Sequence, residues 1–153
     1  MSGTVEAKLA SLGITLPEAT APAANYVPTV TSGNLLWISG QISVANGKLT
    51  QGKLVVEADV EAGRAAARQC GINVIAQIKA ALGDLDRVKR VVKLVGFVNS
   101  APDFTEQPKV VNGCSDLFVE VFGDAGRHAR SAVGVAALPF NVSVEVEAVI
   151  EFV

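Results

Sequence analysis

Over its final stretch, Val142 to Val153, the chain alternates: Val142, Val144, Val146 and Ala148 fall at every second position, with polar or charged residues between them. Period two is the repeat of a β-strand, so Glu145 and Glu147 project from one face and Val144 and Val146 from the other. Such a strand needs an apolar layer on its valine side. If the glutamate side is covered by another subunit, at least one carboxylate needs a partner or a chemical role, because an unpaired buried carboxylate is costly. A solvated sheet face is the alternative.

Two segments can supply the apolar layer. From Asp59 to Leu82, Ala62, Ala66, Cys70, Val74, Ile78 and Ala81 recur at helical spacing, with Asp59 as a cap and Gly83 as a stop. Lys109 to Phe122 suits a second helix, ended by Gly123. Between them Arg87 to Asn99, rich in Val with Leu94 and Phe97, reads as a buried strand entered through basic residues. Further strands are expected at Tyr26–Val30 and Leu35–Ser39, joined by a turn at Ser32-Gly33-Asn34, near Lys53–Val56 after Asn46-Gly47, and at Ser131–Ala137 before a Leu138-Pro139 turn. Val5–Leu12 forms a short amphipathic helix stopped by Gly13, and Pro17, Pro22 and several alanines make an irregular arm. Residues 1–153 are thus expected to form one α/β (α+β) domain, with an N-terminal helix and arm over residues 1–25. A single mixed sheet carries both long helices on one face, and its other face awaits partner subunits.

Composition narrows the function. Half of the 153 residues are hydrophobic and only 18% are charged, which leaves more apolar surface than a monomer of this size covers and points to self-association. No run approaches the ~18 apolar residues of a membrane span. The start, MSGTVEAKLASLG, has neither a basic opening nor an apolar stretch of leader length, so a cytoplasmic address is expected. Cys70 and Cys114 lack CxxC spacing and read as small buried hydrophobes. The net charge of −2 gives no field to attract polyanions, so nucleic acid is not the expected partner. The basic cluster Arg87, Lys89, Arg90 and Lys93 has no interleaved aromatics for base stacking and reads as a solvated strand edge.

The densest chemistry lies in HARSAVGVAALPFNVSVEVEA. Arg130, opening an apolar strand, offers a planar fork of donors suited to a carboxylate held at two points. A structural ion pair with Glu145 or Glu147 is the competing reading. His128, the single histidine, is either a general base near neutral pH or a loop residue making an ordinary hydrogen bond. With no second histidine and no nearby cysteine, no metal site is expected. Ser39 in WISGQ sits in no GxSxG elbow, and Gly33 and Gly40 form no GxGxxG. Gly40 is suited instead to letting a backbone N–H approach a ligand.

From Tyr26 to the C-terminus the chain resembles the YjgF or Rid family of reactive-intermediate deaminases, also called endoribonuclease L-PSP-like. Four segments carry the resemblance: NYVPTVTSGNLLWISGQ, LGDLDRVKRVVKLVGFVNS, VNGCSDLFVEVFG and ARSAVGVAALPFNVSVEVEA. It implies a chorismate-mutase-like fold assembled as a trimeric barrel, with sites in the clefts between subunits. It also implies hydrolysis of 2-imino acids and their enamine tautomers to 2-keto acids and ammonia, without metal or organic cofactor. By the same resemblance Arg130 grips the substrate carboxylate, Glu145 holds the hydrolytic water, and Tyr26, Ser39 and Gly40 line the substrate. The backbone carbonyl of Ala132, where many members have cysteine, takes the imine nitrogen. Asn112 fits the family asparagine after a one-residue shift. The SAPDFTEQPKVVNGCSD loop and GDAGRHARSAVG depart from the deaminase pattern and mark a divergent subgroup. The rival functions are a non-catalytic binder of small carboxylates or keto acids and, with less support, an endoribonuclease. Glu145 separates the first, since a pure carboxylate binder gains nothing from a second negative charge beside its ligand.

Overall fold

A computed structural model describes residues 3–21 and 24–153. The helices are α1 (Thr4–Ser11), α2 (Val60–Leu82) and α3 (Gln107–Phe122), and the strands are β1 (Thr29–Ser32), β2 (Leu35–Ile42), β3 (Val44–Ala45), β4 (Lys48–Leu49), β5 (Val88–Asn99), β6 (Ala129–Val135) and β7 (Val144–Phe152). Five strands form one mixed sheet in the order β1-β2-β7-β5-β6, and β3 and β4 form a separate ribbon. Every sheet pair is antiparallel except β5 and β6, which run parallel because α3 carries the chain back between them.

The alternation along β7 organises the core. Val144, Val146, Ala148 and Ile150 are buried on the helix side, beside Leu36 and Ile38 of β2 and Val91, Leu94 and Val98 of β5. Against this floor pack Val74, Ile75 and Ile78 of α2 and Val111, Leu117 and Phe118 of α3, all fully buried. Each such side chain contributes about 1.5–3 kcal/mol by leaving water. The opposite face carries no helix among the described residues. It presents Trp37, half exposed, with Val30 and Val133 also exposed and Val95, Phe97 and Val149 partly covered.

Three readings of the sequence need correction. Residues 53–56 make no strand beyond one bridge from Leu54 to Ser100. The turn residues Asn46 and Gly47 have φ of 53° and 75°, so the hairpin closes at once onto Lys48–Leu49. The amides of Val55 and Val56 are then taken by the Asp59 carboxylate, at 2.7 and 3.0 Å. Asp59 therefore holds the approach to α2 and not its first-turn amides. Of the basic cluster only Lys93 departs from a solvated strand edge, since it lies inside the sheet level with Ala129 of β6; Arg87, Lys89 and Arg90 are exposed where the chain outruns β6. There Arg87 donates to the Val153 carbonyl and Lys89 pairs with Glu151 at 2.9 Å. Of the N-terminal arm, Pro22 lies outside the described residues.

The N-terminal helix is pinned electrostatically. The amides of Thr4 and Val5, two of the unpaired donors that open α1, donate to the two Asp86 carboxylate oxygens at 2.8 and 2.9 Å. Glu6 pairs with Lys79, and Leu9 is buried. Those backbone hydrogen bonds hold the Asp86 carboxyl below its ordinary value. A depressed carboxylate contributes stability above its unfolded pKa and loses it as pH falls through the folded one. Asp86→Ala should therefore lower the melting temperature and speed amide exchange in α1 at neutral pH, and the difference in melting temperature from the parent should shrink as acid protonates Asp86. Thermal melts across pH with hydrogen exchange measure both.

Candidate functional site

Two groups of polar residues stand out, and they lie on opposite faces of the sheet. The first surrounds Glu145. Between Ile38 and Gln41 the β2–β7 register slips: three steps along β2 match two along β7 (Ala148 to Val146). This bulge releases Ser39 and Gly40 from the ladder. Ser39 turns outward to hold the preceding segment, its amide donating to the Pro28 carbonyl at 2.9 Å and its hydroxyl to Val27 at 2.8 Å. Gly40 makes room for a neighbour: a Cβ at this position would lie 2.3 Å from Glu145 Oε1. The Glu145 side chain thus rests across the bared backbone of the bulge.

A cavity of about 500 Å³ opens here. Tyr26, Ser39, Gly40 and Glu145 line it together with the arm residues Pro17–Ala21, Asn73 and Gln77 of α2, and the exposed ring of Phe140. The arm is tied down where Gln77 donates to the Thr20 carbonyl at 3.1 Å. No described residue forms an ion pair or hydrogen bond with the Glu145 carboxylate. Burial, and secondarily the Glu147 charge, push its pKa up, which makes it a better base.

The second group surrounds Arg130. From β6 its side chain turns to the helix side, where Nη1 donates to Asn112 Oδ1 at 2.7 Å and Ser115 Oγ at 3.1 Å, both on α3. No described carboxylate lies within ion-pair distance of it, so the structure excludes an ion pair with Glu145 or Glu147 within the chain. The Nε and Nη2 donors, the edge that grips a carboxylate at two points, have no acceptor among the described residues. Ala132 follows on the same face, against the core. Asn112 touches Arg130 directly.

His128 is a hydrogen-bonded residue between α3 and β6, with Nδ1 2.6 Å from the Gly126 carbonyl and Nε2 3.0 Å from Ser115 Oγ. Cys70 and Cys114 are fully buried, and burial pushes both thiols up, away from reactivity. Among the described residues no three His, Cys, Asp or Glu side chains converge as metal ligands. Sequence reasoning missed Ser115, and Asn73 and Gln77 on the cavity wall. The spacing of Asn112 and Ser115 places both on one helical face, but only the fold shows that this face meets Arg130.

The family model described as "YjgF/chorismate mutase-like, putative endoribonuclease" matches residues 6–152. The chain belongs to this family. It is 57% identical to Protein TCP17 of Trypanosoma cruzi, over 98% of this chain and 95% of that protein. It is 39% identical to the 2-iminobutanoate/2-iminopropanoate deaminase of Escherichia coli K12, over 88% and 94%. Among solved structures, a protein of unknown function from Agrobacterium tumefaciens superposes with a TM-score of 0.89 at 51% identity, covering 97% of this chain and 92% of that one. E. coli TdcF with bound serine superposes with a TM-score of 0.65 at 25% identity, over 89% and 94%.

In this YjgF-family chain the half-buried Glu145 has a linkage signature. A carboxyl whose folded pKa is raised binds its proton more tightly when folded, so its contribution to stability falls as pH rises and is fully lost above the folded pKa. At neutral pH the ionised carboxylate therefore opposes folding. Glu145→Gln should melt no lower than the parent at pH 7, and its advantage should narrow toward pH 4, as calorimetry at both pH values would show.

Proposed function

We propose that the chain hydrolyses 2-imino acids and their enamine tautomers to 2-keto acids and ammonia, in an assembly of three copies. One observation carries the reading: among the described residues, a half-buried arginine whose two-point edge lacks a partner and a carboxylate of raised pKa without a cation occur in one chain. Arg130 binds the substrate carboxylate. Glu145 takes a proton from water as its oxygen attacks C2 and passes it to nitrogen, giving the carbinolamine; the carbinol hydroxyl then gives its own proton to nitrogen through Glu145 as the C2–N bond breaks, so that ammonia leaves and C2 becomes the ketone. Tyr26, Ser39 and Gly40 flank the water and substrate, with the Gly40 amide near the carboxylate and the Ala132 carbonyl near the nitrogen. Holding a small planar acid beside an oriented water removes much of the entropic barrier. The deaminases among its relatives, and the serine bound to TdcF, a small molecule that also carries a carboxylate, support the assignment.

The fold makes a second copy necessary on this reading. Glu145 on β7 and Arg130 on β6 have β5 between them, about 10 Å across the sheet at ~4.8 Å per strand. Through Phe97, Glu145 stands level with Val133, three residues along β6 from Arg130, or about 10 Å lengthwise. They also face opposite ways. A small acid cannot touch both within one chain, so Arg130 of one copy meets Glu145 of another. The apolar face around Trp37 and Val133 is the surface that brings the copies together. Among the described residues no helix is long and apolar enough to cross a membrane.

Light scattering should give about three times 15.8 kDa. Ammonia release from freshly generated 2-imino acids should separate the two residues. Arg130→Lys should weaken binding and turnover together by about 1–3 kcal/mol, while Glu145→Gln should chiefly lower turnover, by about 10²–10⁴-fold. Arg130→Ala and Glu145→Gln chains, unfolded together and refolded, should regain up to about one quarter of parental activity, since randomly mixed copies leave about a quarter of sites with both residues intact. No recovery in verified mixed trimers would place both residues of each site in one chain. Full imine hydrolysis by Glu145→Gln would favour a carboxylate binder instead.

A further inference from the structure

Resting on the reading of Arg130 as carboxylate anchor, we infer that Ser115 and His128 are positioning residues that fix the guanidinium through a one-way chain of hydrogen bonds. The direction follows from the chemistry of its far end. The Gly126 carbonyl, 2.6 Å from His128 Nδ1, can only accept, so Nδ1 carries the ring proton and Nε2 keeps a lone pair. Nε2 therefore accepts the Ser115 hydroxyl proton across 3.0 Å. With its proton committed to the ring, Ser115 Oγ turns a lone pair to Arg130 Nη1 at 3.1 Å. Asn112 Oδ1 takes the other Nη1 proton at 2.7 Å. Both Nη1 protons are then used, the plane of the guanidinium is set, and the Nε–Nη2 edge remains for the ligand.

The chain of bonds has a rigid base. A Cβ on Gly126 would fall 2.2 Å from the Phe118 carbonyl, so this segment lies directly on α3, the helix that bears Ser115. The imidazole also stands edge-on to Phe118, with centroids 6.0 Å apart and planes at 80°. Burial, aided by the Arg130 charge and only partly opposed by the hydrogen bond to Gly126, holds His128 below its usual pKa, which favours the neutral ring that an acceptor must be. The nearby charges of Asp124 and Arg127 are paired with each other at 3.3 Å. His128 is not placed as a base: its lone pair is occupied by Ser115, on the face of the sheet opposite Glu145. Ser115 is likewise not a nucleophile on the Glu145 cavity, which it does not line.

Two measurements on the full-length protein test this. The single histidine makes long-range ¹H–¹⁵N correlation spectra unambiguous: the parent should show the Nδ1–H tautomer at pH 7, and the Nε2–H tautomer would overturn the proposal whatever the enzyme's activity. In imine hydrolysis, Ser115→Ala should raise KM, and the Kd of a 2-keto acid product by calorimetry, about 3–10-fold with kcat changed less than about 2-fold. Ser115→Thr, which restores the hydroxyl, should bring KM back toward the parent. His128→Phe, which keeps an aromatic ring against Phe118, should raise KM similarly, and the double variant with Ser115→Ala should be no worse than either alone. An unchanged KM in Ser115→Ala, while Arg130→Lys raises it, overturns the positioning chain and leaves the anchor standing. Unchanged KM and product affinity in Arg130→Lys would instead remove the anchor itself.

Discussion

The one-sided burial of β7 sets the geometry of everything else. Val144, Val146, Ala148 and Ile150 sit under α2 and α3, and a slip of one residue would drive Glu145, Glu147 and Glu151 beneath the helices in their place. An unpaired buried carboxylate costs several kcal/mol, so the alternative register is closed to this sequence. A fixed β7 fixes its neighbours. It holds Glu145 beside Ile42, places the β2 bulge at Ser39-Gly40, and through β5 determines where the parallel strand β6 delivers Arg130.

What could be read from the sequence was what period and punctuation record. The α2 and α3 helices ended at Gly83 and Gly123 as expected, and β7 showed its two faces in its own residues. The strand expected at 53–56 shrank to the single bridge of Leu54 to Ser100: the turn at Asn46-Gly47 spent the hairpin early, and Asp59 then claimed the free amides of Val55 and Val56. Arg130 and Glu145 could be picked out as groups needing a role, and the alternation of β7 sets Glu145 away from the valines, yet nothing in the sequence says that Arg130 faces the other way. That depends on the parallel β5–β6 pair, a product of tertiary packing. Ser115 was hidden for a similar reason, since a helix face reveals its polar residues without revealing what it meets.

The reach of the resemblance also has a physical boundary. Its motifs cluster on the segments that build the sheet and the two polar groups. The expected departures fall mainly in the loop before α3 and in the GDAGRHARSAVG segment, which supplies Gly126 and His128, whereas Asn112 and Ser115 sit on α3 within a segment that carries the resemblance.

Separating Arg130 from Glu145 within the chain has a consequence for the proposed chemistry. An ion pair between them would lower the carboxyl pKa and occupy the arginine's two-point edge, so the base would weaken and the anchor would close. Opposite faces prevent that pairing during folding, before any copies meet. On the proposed reading a second copy would bring the two together with a substrate carboxylate on the arginine, and Glu145 would keep the raised basicity that its partly buried position confers. On that reading a ligand that neutralised Arg130 would also preserve the base beside it, coupling binding to activation through a single charge.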